Sequence, residues 1–474
     1  MFVKRFFEPG LAQASYMLGC TAAREAIVID PNRDAAQYIE AADAEGLRIA
    51  HVTETHIHAD FLSGSRELAA KTGGRLYLSG EGGADWQYGF AREATVVRQG
   101  DRIVVGNVTI DVLHTPGHTP EHLTFLVTDG AVASEPIAAV TGDFIFVGDV
   151  GRPDLLERAA NLKGTMEAGA RVLFQSLQAF AARPDWLQIW PGHGAGSSCG
   201  KGISAIPQST LGYERRFNWA FQIQNETEFV ASVLAGQPEP PKYFAEMKRM
   251  NRDGPALLGG FRRPPGRDLA DLERALAGGA IVLDLRRADE FAVAHVPGTL
   301  SLPLNGSFAN WAGWLVSYTA EVFLIAPDRG APAVDAAVRD LAMIGLDRVA
   351  GWFESGVIEA WAAAGRGLGS VPQITPADLR AALSHDAVTL VDVRNANEWI
   401  GGHIAGARHI PLGYLTDALD TLPRTRPIVV QCAAGSRSAI GASLLSARGI
   451  DRVVNLTGGI AEWCRAGLPT VTSA

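Results

Sequence analysis

The sequence predicts a multidomain α/β protein of about three domains. Three observations carry that expectation. Short β-branched runs alternate with turns and amphipathic segments over residues 1–235. A stretch rich in proline and glycine follows over 236–267, and a pattern then occurs twice, over 268–368 and 374–474. The 474 residues are 47% hydrophobic and 20% charged, ample for packed cores. A net charge of −9 lacks the basic footprint of a general nucleic-acid binder, so no nucleic-acid partner is expected. No run of 18 apolar residues marks a membrane span, and the start Met1-Phe-Val-Lys-Arg-Phe-Phe has no secretory pattern. Four cysteines cannot build a disulfide framework, so a cytoplasmic chain is expected, with each thiol either inert or reactive.

Taken in order, Ala26–Ile29, Ile49–Val52, Val108–Leu113, Leu123–Val127, Ala138–Thr141 and Leu187–Trp190 read as strands, several running directly into His or Asp. Phe61–Lys71 reads as a helix with Leu62, Leu68 and Ala69 on one face. Gly236-Gln-Pro-Glu-Pro-Pro241 and Arg262-Arg-Pro-Pro-Gly266 bound a linker, partly extended because consecutive prolines disfavour helix. Beyond it, Leu283-Asp-Leu-Arg-Arg-Ala-Asp-Glu-Phe…His295-Val-Pro-Gly298 returns 108 residues later as Val391-Asp-Val-Arg-Asn-Ala-Asn-Glu-Trp…His403-Ile-Ala-Gly406. Gly345-Leu-Asp-Arg-Val349 is likewise echoed by Gly449-Ile-Asp-Arg-Val453. Two strand–helix units in tandem predict α/β domains with mainly parallel sheets, joined near Gly369-Ser-Val-Pro372.

Chemistry-bearing residues concentrate at strand ends. Thr55-His56-Ile57-His58-Ala59-Asp60 follows one apolar run, and His114-Thr-Pro-Gly-His118, Thr141-Gly-Asp143 and Pro191-Gly-His193 follow three others. Imidazole plus carboxylate on rigid strands, without thiolate, suits a Zn or Fe site. A lone His at a strand end is ordinarily structural, and His51, His114 and His122 are read that way. Four such clusters in this order point to a site.

That order of motifs resembles the metallo-β-lactamase superfamily over residues 1 to about 235. The resemblance implies an αββα sandwich with the metal at the edge of two facing sheets. Dinuclear hydrolases of the superfamily carry His-x-His-x-Asp-His, whereas position 61 here is Phe61, which cannot coordinate. The persulfide dioxygenase branch, which this region resembles, uses iron. Carried over by motif, one Fe(II) per chain would be held by His56, His118 and Asp143, with His58, Asp60 and His193 orienting ligands or bound water. Arg152 in Gly151-Arg152-Pro-Asp154 is either an anion contact for the substrate or a structural salt bridge. Cys199, in the glycine-rich Gly192–Lys201 loop, is either inert packing or a group facing the iron that binds or relays sulfur. Glutathione-using members place a Tyr soon after the His that matches His193. Small residues stand there in this chain, which points to another thiol carrier.

A second site lies in 374–474. The apolar strand Pro427–Gln431 runs into Cys432-Ala-Ala-Gly-Ser-Arg-Ser438, followed by a helix to about Ala447. A Cys in that position meets backbone N–H groups and a helix N-terminus, both favouring thiolate. Gly435 permits the turn, Arg437 adds positive charge, and Ala433, Ala434, Ser436 and Ser438 complete an anion cradle that leaves the sulfur accessible. Cys-dependent phosphatases share this loop architecture, and Arg437 five residues after Cys432 fits their spacing too. With Val391-Asp-Val-Arg394, Glu398-Trp399, Gly402–Ala407 and Asn455–Gly459, however, the region resembles a rhodanese. Cys432 would then carry sulfane sulfur while Arg437 and the loop amides hold its anions. His403 is read as a structural cap and Cys464 as inert. The first copy has Pro327-Asp328-Arg329 where a Cys loop belongs, and no Cys occurs in 268–368, so a structural or docking role is expected.

Together the two resemblances imply a persulfide dioxygenase–rhodanese fusion. It would oxidise a low-molecular-weight thiol persulfide with O2 to sulfite, and form or use thiosulfate, in sulfide detoxification. A homo-oligomer is expected. A zinc-dependent thioester hydrolase joined to a sulfurtransferase, and a sulfide-responsive binding module, stand as alternatives.

Overall fold

The computed structural model describes residues 1–155, 164–328 and 330–472. It forms two compact units, Met1–Phe261 with Ala342–Gly345, and Arg262–Leu341 with Leu346–Ala474.

In the first unit, one sheet holds β1 (Phe2–Glu8), β2 (Gln13–Cys20), β3 (Glu25–Ile29), β4 (Arg48–Thr53), β5 (Arg75–Ser79) and β6 (Thr95–Val97) in that order. Pairing is antiparallel from β1 to β3 and parallel from β3 to β6. The other sheet holds β7 (Arg102–Val105), β8 (Val108–His114), β9 (Leu123–Asp129), β10 (Ala138–Gly142), β11 (Gln188–Pro191) and β12 (Ser209–Thr210). It is antiparallel except that β10 and β11 run parallel.

The strand period of two sorts side chains into three apolar layers. Tyr16, Leu18, Ile27 and Ile29 of the first sheet meet Ile110, Phe125, Val127 and Val140 of the second in a dry central layer. Met17, Ala26 and Val28 face the other way, onto Tyr38 and Ala41 of the helix Ala35–Ala44 and Leu68 of the helix Ser65–Thr72. Leu126, Ala139 and Ile189 pack on Leu173 and Leu177 of the helix Thr165–Phe180 and on Phe229 of the helix Glu226–Leu234. The result is the expected αββα sandwich. Because β3 and β4 run parallel, Asp30 and Thr55 leave the first sheet at the same edge. Parallel β10 and β11 likewise release Asp143 and His193 together.

Three local expectations differ. β2 has no polar–apolar alternation because all eight of its residues are buried, so its pattern gave no strand signal. The helix expected from Phe61 begins at Ser65; residues 61–64 are held instead as a turn, with Asn251 donating to the carbonyls of His58 and Phe61 (both 2.8 Å) and accepting the Ser63 N–H (2.9 Å). Asn251 lies on the helix Phe244–Asp253, inside the segment read as an extended linker. The prolines at 238, 240 and 241 precede this helix and do not prevent it.

The second unit contains the repeat as two parallel sheets. The first has the order β14 (Leu300–Ser301), β13 (Ile281–Asp284), β15 (Val322–Ile325), β16 (Val349–Phe353). The second has β19 (Arg408–His409), β18 (Thr389–Asp392), β20 (Ile428–Gln431), β21 (Val453–Leu456), with β17 (Gln373–Ile374) added at its edge. The repeated Asp-x-Arg is a fork onto a buried Asp in both copies: Arg286 pairs with Asp284, and Arg394 with Asp392, at 2.7–3.2 Å. Each Arg also donates to a carbonyl eight residues on, Ala294 at 2.9 Å or Gly402 at 2.8 Å. The aromatic patch 308–314 is the helix Phe308–Leu315; Phe308 is core, and the Trp314 ring lies 5.6 Å from Tyr414 of the other copy. Arg329 lies outside the described residues. Among the described residues no helix is long and apolar enough to cross a membrane.

Candidate metal centre and nucleophile loop

His56, His118 and Asp143 converge, with one ligand atom from each within 4.8 Å of the others. All three are buried. The Thr55 hydroxyl donates to Asp30 Oδ2 (2.9 Å) and accepts from His56 Nδ1–H (3.0 Å), which turns the Nε2 lone pair inward. His118 Nδ1–H donates to the carbonyl of Arg152 (2.9 Å), leaving its Nε2 3.5 Å from Asp143 Oδ2. His122 holds the third member: its Nε2 accepts the Asp143 backbone N–H (3.1 Å) while Nδ1–H donates to Thr115 Oγ1 (2.9 Å). Such outer partners fix tautomer and ring orientation at metal sites. Close approach is also built in. A Cβ at Gly151 would stand 1.8 Å from the Asp143 carbonyl oxygen, so only glycine fits there.

Burial, with His58 and His118 alongside, holds His56 well below the ordinary imidazole range; burial also lowers His118, against the pull of Asp143. Both rings are thus kept in the neutral form that a cation requires. Neither Asp143 oxygen accepts a hydrogen bond, although the carboxylate is fully buried. A buried carboxylate that accepts no hydrogen bond, set beside two neutral imidazoles, is a poor structural arrangement and a good cation site. The donor set therefore fits a divalent metal.

The other expected residues take more varied places. His58 is not one of the three donors. Its Nε2–H donates to Asp30 Oδ1 (3.0 Å), and although burial opposes charge, Asp30 outweighs it and His58 is pushed up to about 9. Phe61 stacks on His58 with ring centroids 4.4 Å apart. Asp60 and His193, expected to orient ligands, lie beside the donor set, with His193 Nε2 3.4 Å from Asp143 Oδ1, and also gather with Cys199 in a second group of donors. Burial opposes charge on both Asp60 and His193, but Asp143 and then Asp60 hold His193 well above the imidazole range, and His193 in turn holds Asp60 below the carboxylate range. Cys199 is buried and pushed up to about 12 by burial, then by Asp60 and Asp143, so by itself it is a thiol rather than a nucleophilic thiolate.

Of the two places expected for Arg152, a substrate contact or a structural salt bridge, the side chain takes the salt bridge. Its guanidinium is fully buried, forks onto Asp154 (2.7 and 2.8 Å) and donates to the carbonyls of Ser198 (3.1 Å) and Pro238 (2.7 Å). Its backbone N–H donates to the Cys199 carbonyl (3.1 Å), so it pins the Cys199 loop. Sequence reasoning missed Asp30, Thr55 and the role of His122. The one available signal for Asp30 was its place at a strand end.

In the second unit, Cys432 follows β20 and precedes the helix Ser436–Ala447. Gly435, at φ +105°, makes the left-handed turn that carries the loop into the helix. The Cys432 sulfur accepts from the Gly435 N–H (3.1 Å) and the Ser438 hydroxyl (3.4 Å). The loop is tied down where Ile460 and Ala461 N–H donate to the carbonyls of Cys432 (2.8 Å) and Ala433 (3.0 Å). Cys432 is 1% exposed, so the sulfur expected to be accessible lies beneath its loop, turned inward by those donors. Ala434 and Ser436 are exposed at the loop surface, and Ala433 is half-buried. Arg437 is not a free cation. Its fork meets the Glu398 carboxylate at 2.6 and 2.7 Å, which raises Arg437 and, against burial, lowers Glu398. His403 stacks on Trp399 with centroids 3.5 Å apart, and Cys464 is exposed.

The metallo-β-lactamase superfamily model matches residues 9–193, and the rhodanese-like domain model matches residues 375–466. The metallo-β-lactamase of Staphylococcus aureus subsp. aureus COL superposes with a TM-score of 0.67 at 43% identity, covering 74% of this chain and 98% of that one. The chain therefore belongs to the metallo-β-lactamase superfamily, and it carries a rhodanese-like domain behind that fold. More particularly, the mitochondrial persulfide dioxygenase ETHE1 of Bos taurus is 32% identical over 164 residues, 34% of this chain and 59% of that protein. A hydroxyacylglutathione hydrolase of Methylobacterium nodulans is 26% identical over 243 residues, 51% of this chain and 85% of that protein. The chain spans about 60% of the length of the first curated relatives it matches.

Proposed function

We propose that this chain is a persulfide dioxygenase joined to a sulfurtransferase, acting in sulfide detoxification. The observation that carries this reading is the donor set of two neutral imidazoles and one buried carboxylate, with Phe61 stacked on His58 where dinuclear relatives carry a further His. Two nitrogens and one carboxylate with open positions suit non-haem Fe(II). His56, His118 and Asp143 would hold one Fe(II) per chain. When bound, that ion supplies the activation of O2 that lets both oxygen atoms end on the outer sulfur of a thiol persulfide. The chain's own residues keep two ring nitrogens unprotonated through Thr55 and the Arg152 carbonyl, orient Asp143 through His122, and enclose all three donors away from bulk water. The likeness to a named persulfide dioxygenase supports the same reading.

At the second site, the Cys432 thiolate attacks the sulfane sulfur of a donor. A new S–S bond to Cys432 forms as the donor's S–S bond breaks, and the donor leaves as its own anion. Sulfite then takes the outer sulfur, giving thiosulfate and regenerating the thiolate. The Gly435 N–H and Ser438 hydroxyl hold negative charge on the sulfur in both half-steps. The Cys-less copy supports the fold without taking part. A second reading, thioester hydrolysis on zinc, draws on the hydroxyacylglutathione hydrolase likeness and keeps the same fold.

The test is Cys432→Ser in the full chain, given a thiol persulfide and O2. Oxygen uptake and sulfite release should persist while thiosulfate formation is lost. Equal loss of both would contradict the division of labour.

A further inference from the structure

We propose that a cavity on the helix-covered face of the second sheet binds a small organic monoanion, a carboxylate head on a compact apolar body, with Arg183 as its anion contact. This goes beyond the dioxygenase reading and does not depend on it.

The cavity measures about 310 Å³ and lies between the end of β8 and the last turns of the helix Thr165–Phe180. That is roughly ten times the share of one water in the liquid and close to the lower bound for small-molecule pockets, so its occupant is small. Strand alternation sets it on the outer face of the sheet. Val112 of β8 faces the central layer, whereas Leu113 beside it faces the helices and lines the cavity.

The apolar body is read from the walls that Leu113, Ala179 and Phe180 provide. The charge is read from Arg183. Its guanidinium is half-buried, yet among the described residues it meets no carboxylate and no hydrogen-bond acceptor; it lies over the Phe180 ring, 5.6 Å from the centroid. Burial alone acts on its pKa, and lowers it. A partly desolvated cation without a counter-charge is costly, and an incoming anion offsets that cost. The planar guanidinium fork matches a carboxylate, and one permanent cation in the lining matches a single negative charge rather than two. His114 also lines the cavity, but its Nε2–H is spent on the Pro120 carbonyl (2.8 Å). Gln175, exposed at the rim and bonded to no other described residue, adds amide donors. A cation just past a helix C-terminus also gains from the helix dipole, a gain that needs no cavity.

The walls are held by bonds that an occupant need not disturb. The Ser176 hydroxyl donates to the Pro116 carbonyl (2.7 Å), and the Thr115 hydroxyl bonds His122 Nδ1 and Thr124 Oγ1 (both 2.9 Å). Phe180 packs edge-on against Phe144 with ring centroids 5.5 Å apart. A cavity so braced is pre-formed, and binding loses little to reorganisation.

The experiment is isothermal titration calorimetry of the full-length chain with sodium benzoate, which joins one planar carboxylate to one apolar ring. Binding should saturate at one benzoate per chain. Arg183→Met, which keeps the apolar stem and removes the charge, should weaken it by roughly tenfold or more, and benzyl alcohol should bind the unaltered chain more weakly than benzoate by a similar factor. Sodium sulfate, an anion with no apolar body, should also bind roughly tenfold or more weakly. Ala179→Phe, which fills the cavity from an exposed helix position without touching a polar group, should abolish binding. No benzoate binding by the unaltered chain overturns the proposal, and so does binding indifferent to Arg183→Met, the result expected if benzoate sits at the metal centre instead. Benzyl alcohol or sulfate bound as tightly as benzoate overturns it too, the latter marking a plain inorganic-anion site. Should Arg183→Met not fold, undiminished benzoate binding by Ala179→Phe overturns it instead. Oxygen uptake enters none of these readouts, so failure of the dioxygenase reading would leave this site standing.

Discussion

Replacing Arg152 by Leu separates a structural guanidinium from a substrate contact. The side chain is fully buried, its fork satisfies both oxygens of Asp154, and its remaining nitrogen serves two carbonyls. Removing it strands the Asp154 carboxylate in the interior without its guanidinium, a loss of about 3–5 kcal/mol for a broken buried pair. For a unit of this size, each kcal/mol moves the melting midpoint by roughly 2–4 °C, so Arg152→Leu should lower Tm by roughly 6–20 °C. The assay is thermal unfolding of the full chain followed by tryptophan fluorescence, with KM for a thiol persulfide measured at 20 °C or below, before any melting. The double change Arg152→Leu with Asp154→Leu should recover part of the loss, because the carboxylate that faced the guanidinium is removed with it; a coupling of about 0.5–3 kcal/mol is expected. An unchanged Tm with a raised KM would refute this reasoning and restore Arg152 as a substrate contact.

Two further expectations concern the two sites. Thr55→Val removes the hydroxyl that links His56 to Asp30, and metal affinity measured by chelator competition should weaken by roughly 10–100-fold; unaltered affinity would show that His56 needs no such orientation. Glu398 has its pKa depressed by Arg437, so its contribution to stability is present above the unfolded carboxylate pKa and lost as pH falls through the folded value. The Tm gap between the unaltered chain and Glu398→Gln should therefore be open at pH 7 and close below about pH 4, given an ordinary Glu near 4.3. A gap independent of pH would mean that the pair contributes by packing alone.

How much of this was legible in the sequence follows from the range of the interactions involved. Strand ends carrying His56, His118, Asp143 and His193 stood out because short β-branched runs are local signals. The repeat was visible because identical residues do identical work: Asp284 with Arg286 and Asp392 with Arg394 form the same fork. The supporting residues were not legible. Asp30 reaches His58 across 28 positions, and Asn251 holds the His58–Ser63 turn from about 190 positions away. Only the parallel pairing of β3 with β4, and a helix in a segment that composition marks as linker, bring them there. Arg152 was ambiguous because its four acceptors are one carboxylate two residues on and carbonyls from two distant segments. The Arg437–Glu398 pair, separated by 39 positions, was hidden for the same reason.

The most direct measurement is metal content and oxygen consumption on the same anaerobically purified full-length chain. The account predicts one iron per chain, lost in His56→Ala and Asp143→Ala, together with O2 uptake and sulfite release when a thiol persulfide is added. Zinc in place of iron, with thioester cleavage and no oxygen consumed, would contradict it.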